Sequence, residues 1–332
     1  MTDGPEFAEE YLNIEQLICD LLGASSCELT QEIQSLWSGY GVIRRAVIDQ
    51  RSAIVKHVNV SKARTNQRGW KSEFSHQRKV RSYQIETRFY REFSPQCGAD
   101  CRVPKLLGSL VSELDSNWLV VMEDLDASGF PDRKSDLNTG ELYACLKWLA
   151  NFHATFMAVE PNGLWEIGTY WHLATRPDEL KAMQDGPLKQ AAAAIDTKLN
   201  SARFKTLVHG DAKVANFCFS QGGDAKVAAV DFQYVGGGCG MKDVAYLISS
   251  CLNEDEAQRR ETELLDYYFG QLENALLAKS KQIEISALQV EWRELYPVCW
   301  ADFYRFLAGW SPGHWKMNRY SEQLTKEVID SI

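Results

Sequence analysis

Apolar residues fall at helical spacing from Ile14 to Leu22 and stop at Gly23 and a serine-rich break, a pattern that predicts a short amphipathic helix near the start. The next apolar positions alternate instead. Ile33 to Ile43 and Ala46 to Val58 carry β-branched Val42, Ile43, Val47, Ile48, Ile54, Val55 and Val58, with turn-forming Asp49, Gln50 and Arg51 between them. These segments predict a twisted antiparallel hairpin. A helical pattern follows from Ser72 to Glu92 and ends ahead of Pro95. Two further strands are predicted near Lys105 to Leu114 and Trp118 to Glu123.

Beyond Asp124 the period changes. Leu142, Leu146, Leu149, Phe152 and Phe156 line one side of a predicted helix from Asp136 to Val159, and helix dominates to the end. The exceptions are short apolar runs flanked by polar turns: Thr206 to Val208, Phe217 to Phe219 and Val227 to Val230. The predicted class is α+β, with an antiparallel-sheet lobe over residues 1–123 joined through residues 123–135 to a larger, mainly helical lobe over residues 124–332.

Bulk properties narrow the function. With 332 residues, 45% apolar and 24% charged, the chain can fill one or two cores as a globular protein. A net charge of -9 argues against an extended nucleic-acid footprint, which relies on clustered cations. The one cation-rich stretch, Lys62 to Arg81 with seven Lys or Arg, reads as a solvated surface. Nine cysteines lack the paired spacing of a zinc site and read as reduced thiols. Cys97 and Cys101, four apart, are the one pair that leaves a redox or metal role open. Residues 1–10 are acidic, and no apolar run reaches about eighteen residues. The expectation is a cytoplasmic protein without a membrane span.

The chemistry concentrates in residues 207–219, LVHGDAKVANFCF, and 227–233, VAAVDFQ. Phosphoryl transfer needs a group that orients the attacking hydroxyl and accepts its proton, together with oxygen ligands for a magnesium ion on the phosphates. Asp211 fits the first task. Asn216, five positions later, and Asp231, twenty after Asp211, fit the second.

On His209-Gly210-Asp211, Asn216 and Asp231-Phe232-Gln233, the chain resembles the aminoglycoside phosphotransferase and choline kinase superfamily, most of all its ecdysteroid kinase-like branch. The resemblance implies a protein kinase-like two-lobe fold with ATP and Mg2+ as cofactors, and transfer of the γ-phosphate to a hydroxyl of a small molecule. It also implies roles for further residues. Ser38, Gly39, Tyr40 and Gly41 stand where a glycine loop covers phosphates, although such a turn also suits a plain hairpin. Lys56 resembles the strand lysine on the α- and β-phosphates, with Glu86 as its expected partner and Glu73 as the alternative. Glu123 and Leu125 lie at the expected hinge, where a carbonyl and an amide would take adenine. Lys213 stands where the branch usually has an apolar or aromatic residue; it either offsets charge in the transition state or is a surface lysine. Asp243 matches a brace for the catalytic loop, as an N-cap or buried acceptor, and His153 reads as a satisfied core histidine. The glycine run Gly236 to Gly240 predicts a short turn.

The acceptor is less legible. Trp300, Phe303, Tyr304, Phe306, Trp310, Trp315 and Tyr320 suit helix packing, and an aromatic wall for a quaternary ammonium or an apolar alcohol remains open. Choline or ethanolamine kinase activity and a non-catalytic, nucleotide-binding pseudokinase are the alternatives. No Walker A motif is present, which argues against a P-loop ATP site.

Overall fold

The computed structural model describes residues 5–36, 39–60, 73–112 and 117–332, the side chains of residues 5–13 and 73 excepted. It divides into two compact units, residues 1–95 with 104–131 and residues 96–103 with 132–332. Residues 96–103 therefore count with the second unit and residues 124–131 with the first, where the sequence suggested a single cut after residue 123.

The first unit is a five-stranded antiparallel sheet in the order β1-β2-β3-β5-β4. Its strands are β1 (Cys27–Ser35), β2 (Gly41–Ile48), β3 (Arg51–Asn59), β4 (Leu106–Ser112) and β5 (Asn117–Glu123), with helices α1 (Pro5–Leu22) and α2 (Glu73–Arg88). Strand alternation sorts the faces. Ala53, Val55, Leu119 and Val121 join Ile14 and Ile18 of α1 in one buried cluster, whereas Val58 and Trp118 join Tyr83 of α2 in another. Helix α1 packs so closely that a Cβ on Gly108 of β4 would lie 2.7 Å from a Leu22 methyl.

The predicted hairpin becomes a three-stranded meander. The segment Ile33 to Ile43 is broken by the turn between β1 and β2, where Leu36 N–H donates to the Gly41 carbonyl at 2.8 Å. Gly41 is required by strand contact, since a Cβ there would lie 2.1 Å from the His57 carbonyl oxygen. Asp49 and Gln50 make the β2–β3 turn with φ of 44° and 66°, a twist that matches the flanking strands. Arg51, expected in the turn, begins β3. The predicted helix Ser72 to Glu92 is α-helical only to Arg88 and continues as a π-helical turn, Phe89–Phe93. Its first residue, Ser72, and the cation-rich residues 62–72 lie outside the described residues.

The second unit is mainly helical: α3 (Thr139–Thr155), α4 (Pro177–Ala182), α5 (Pro187–Asn200), α6 (Met241–Cys251), α7 (Glu254–Ala278), α8 (Ile285–Trp310) and α9 (Arg319–Ser331). Asn138 and Glu141 form a capping box that starts α3, later than expected. The face predicted for it, Leu142, Leu146, Leu149, Phe152 and Phe156, is buried. Four short strands form two ribbons: β6 (Thr206–Val208) with β9 (Gly236–Gly238), and β7 (Phe217–Phe219) with β8 (Val227–Ala229). The glycine run is thus largely a strand and not the predicted turn. Close backbone approach explains it, because a Cβ on Gly236 would lie 2.2 Å from the Trp165 carbonyl oxygen and one on Gly237 2.7 Å from that of Glu166. No helix of the described residues is long and apolar enough to cross a membrane.

Candidate active site

Strand pairing brings the second unit's chemistry together. The β7–β8 ladder sets Phe217 opposite Ala229, and Val230 N–H donates to the Asn216 carbonyl at 3.0 Å. Asn216 before β7 and Asp231 after β8 therefore emerge at the same end of one ribbon. Asp211, three residues beyond β6, meets them there. The Asn216 side-chain amide donates to the Asp211 carbonyl at 2.7 Å and to Asp211 Oδ2 at 3.1 Å. With its nitrogen so engaged, the Asn216 amide oxygen is turned away from Asp211.

The loop carrying Asp211 is held from below. Asp243 lies in the first turn of α6, inside the helix and not at its N-cap, and is fully buried. It accepts the amides of His209 at 2.6 Å and Gly210 at 2.9 Å. His153 Nε2 lies 3.1 Å from the same carboxylate and His153 Nδ1 2.7 Å from the Tyr268 hydroxyl, so both nitrogens of this buried histidine serve packing. His209 is likewise spent. Its Nε2 must donate to the Val230 carbonyl at 3.0 Å, which leaves Nδ1 to accept the Asp211 amide at 3.2 Å. That neutral tautomer ties the Asp211 and Asp231 segments together and is no base. Gly210 has φ +81°, and a Cβ there would lie 2.1 Å from the Tyr234 carbonyl oxygen. Asp231 also takes a left-handed φ, 68°, unusual outside glycine.

Burial pushes the Asp211 carboxyl above the ordinary aspartate value; Lys213 opposes the shift and Asp231 adds to it. Burial would pull the Lys213 amine down, yet Asp211 and Asp231 outweigh it and hold it above its ordinary value. Lys213 Nζ lies 3.0 Å from Asp211 Oδ2. Asp211 Oδ1 is buried without a hydrogen bond among the described residues, with the Tyr246 hydroxyl in electrostatic reach.

In the first unit, Lys56 Nζ pairs with Glu86 Oε2 at 2.6 Å, both residues 4% exposed. The side chain of Glu73, the alternative partner, lies outside the described residues. The Leu125 carbonyl accepts the amides of Ser128 at 3.1 Å and Phe130 at 2.9 Å, and its own amide donates to no described residue. Glu123 uses its side chain on the Lys105 amide at 3.0 Å and the Ser128 hydroxyl at 2.7 Å. Gly39 has φ 70° and Gly41 φ 155°, and Tyr40 Oη lies 2.9 Å from His76 Nδ1. Ser38, the first residue of the expected glycine loop, lies outside the described residues.

Several residues near Asp211 left no signal in the sequence. Tyr170 N–H donates to the Gly210 carbonyl at 3.1 Å, and its hydroxyl lies 3.1 Å from that of Tyr246. The neighbouring Trp171 donates from Nε1 to Asp302 Oδ2 at 3.1 Å, and Asp302 pairs with the buried Arg305 at 2.7 Å. Lys316 contributes a further cation from the segment between α8 and α9. Of the C-terminal aromatics, Trp300, Phe303, Phe306 and Tyr320 are buried, Tyr304 is half-buried, and Trp310 and Trp315 are exposed. Cys97 and Cys101 are both free thiols, and Cys101 Sγ lies 3.7 Å from Thr155 Oγ1.

Comparison with known proteins agrees with this architecture. A model of the ecdysteroid kinase-like family matches residues 44–164 and 166–281. No curated protein matches the chain. Among solved structures, a Ralstonia eutropha protein provisionally assigned as an aminoglycoside phosphotransferase is similar at TM-score 0.53 and 12% identity, over 97% of this chain and 95% of that one. An amicoumacin kinase solved with AMP-PNP and Ca2+ is similar at TM-score 0.51 and 14% identity, over 99% and 96% of the two chains. A microcompartment-associated aminopropanol kinase follows at TM-score 0.50 and 13% identity, over 96% and 93%. At such identities the likeness establishes the fold.

Proposed function

Because the chain belongs to the ecdysteroid kinase-like family, we propose that it transfers the γ-phosphate of ATP to a hydroxyl of a small molecule. The observation that carries this reading is the convergence of Asp211, Asn216 and Asp231 at one end of the β7–β8 ribbon.

The donor set fits a cation shared with phosphates. Among the described residues, no three His, Cys, Asp or Glu side chains gather into a self-sufficient metal cage. Magnesium on a nucleotide takes one or two protein oxygens and fills its shell with phosphate and water. Asn216 Oδ1 and the Asp231 carboxylate are the oxygens proposed to hold it. Bound there, the cation would neutralise charge on the phosphate oxygens.

Asp211 orients the acceptor hydroxyl and takes its proton on the buried Oδ1 as the new oxygen–phosphorus bond forms and the bond to ADP breaks. Lys213, beside Oδ2, offsets the negative charge that develops during transfer. Asn216 holds the Asp211 carboxylate through Oδ2, and the His209 ring holds the Asp211 backbone amide. In the first unit, Lys56 held by Glu86 is proposed for the α- and β-phosphates, the Leu125 amide and Glu123 carbonyl for adenine, and residues 38–41 for covering the phosphates.

The test is 31P NMR of Mg-ATP incubated with a panel of alcohols. The wild type should give ADP and a phosphate ester. Asp211→Asn should bind Mg-ATP normally while turnover falls about 10²- to 10⁴-fold. Unchanged turnover would remove Asp211 from its role.

A further inference from the structure

Lys316 is a charged side chain that the mechanism above leaves unused. It is 8% exposed, yet among the described residues no carboxylate pairs with it. Its ammonium lies instead 4.5 Å from the centroid of the Tyr246 ring, 5.5 Å from that of Phe303 and 5.4 Å from that of Trp315. Tyr246 connects this cage to the reaction centre, since its hydroxyl is beside both the Asp211 carboxylate and the Tyr170 hydroxyl. Trp315, at 61% exposure, opens the other side to solvent. The arrangement is therefore a fixed positive charge lined by aromatic rings and joined to the Asp211 carboxylate through Tyr246.

A buried ammonium held by ring faces alone keeps unspent attraction for an anion and repels a second cation. Burial brings the Lys316 amine down to about 8 even against the pull of Asp211, so the groups around it undercompensate its charge. Resting on the phosphotransferase reading, the geometry points to Lys316 as the charge-selecting residue of the acceptor subsite, which takes a hydroxy compound carrying an anionic group and turns away amino alcohols and quaternary ammonium alcohols.

Three benzyl alcohols of one frame test this without requiring turnover: 4-(hydroxymethyl)benzoate, 4-methylbenzyl alcohol and 4-(aminomethyl)benzyl alcohol. Each is titrated by saturation-transfer NMR into the full chain with and without Mg-AMP-PNP, as wild type, Lys316→Met and Lys316→Glu. In the wild type the anion should bind roughly tenfold tighter than the cation, Lys316→Met should flatten the series, and Lys316→Glu should reverse it. An order unchanged by the two substitutions in folded protein, a wild type that prefers the cation, or no binding of any probe would each overturn the assignment. So would a loss of about tenfold in AMP-PNP affinity on Lys316→Met, which would give the lysine to a nucleotide phosphate. If the charge order holds while no alcohol is phosphorylated, the subsite stands and the kinase reading fails.

Discussion

The carboxylate of Asp243 accepts the Gly210 amide at 2.9 Å, and its second oxygen accepts the adjacent His209 amide at 2.6 Å. A peptide segment that must present Asp211 is thereby suspended from a buried helix turn, with His153 Nε2 on the same carboxylate oxygen as the His209 amide. Asp243→Ala leaves two buried amides and one imidazole without an acceptor, and each such group costs about 1–3 kcal/mol. Urea unfolding should show a loss of at least about 3 kcal/mol. A loss below about 1 kcal/mol would mean that the loop is held by other contacts.

Gly210 is fixed by space as well as by conformation. Any β-carbon there collides with the Tyr234 carbonyl while also holding φ near +81°, so Gly210→Ala must displace the loop. Turnover should fall far more than global stability, because the displacement falls on Asp211. Equal kcat in variant and wild type would show that the loop geometry is not critical.

Asp211 should cost the fold stability at neutral pH. Its carboxyl titrates above the ordinary value, first because it is buried and then because of Asp231. The folded protein therefore holds this proton more tightly than the unfolded chain. The resulting stabilisation is full below the ordinary aspartate range and is lost as pH rises through the raised folded value. Asp211→Asn should match the wild type in acid and exceed it in thermal midpoint near neutrality, even as its turnover falls. A gain independent of pH would contradict this.

Lys316 gives the opposite base-side case. Burial brings its amine from 10.5 to about 8, so the folded protein holds this proton less tightly than the unfolded chain. Among the groups facing it, Asp211 and Cys251 favour its charge and Lys213 opposes it. The fold is penalised wherever Lys316 is charged, and the penalty fades as pH climbs from about 8 towards 10.5. Lys316→Met should therefore raise the thermal midpoint at pH 7, with a gain that shrinks over that interval.

The Lys56–Glu86 pair is buried on both sides. Removing one partner strands the other charge, so Glu86→Ala should lose about 3–5 kcal/mol in urea unfolding, and Lys56→Met with Glu86→Leu should recover most of it. A loss under about 1 kcal/mol would show that water reaches the lysine.

What the sequence revealed and what it hid follow from distance along the chain. Asp211, Asn216 and Asp231 were legible because they sit within one stretch of strand, turn and ribbon, where local spacing dictates geometry. Strand β6 and the buried face of α3 were legible for the same reason. The end of the extended segment Ile33 to Ile43 was less legible, because Gly41 answers to a close contact with His57 on another strand. The glycine run at residues 236–240 misled for a like cause: it reads as a turn until residues 165–168 are laid against it. Lys316 left no trace at all, since its setting is assembled from α6, α8 and the segment before α9.

Asn216 and Asp231 are proposed to hold a cation on a nucleotide beside Asp211. Electron paramagnetic resonance titration of Mn2+ with AMP-PNP, on wild type and Asp231→Asn, measures it most directly. The account predicts that nucleotide strengthens Mn2+ binding in the wild type and that Asp231→Asn abolishes the effect while the protein stays folded. Nucleotide-dependent Mn2+ binding that survives Asp231→Asn unchanged would contradict it.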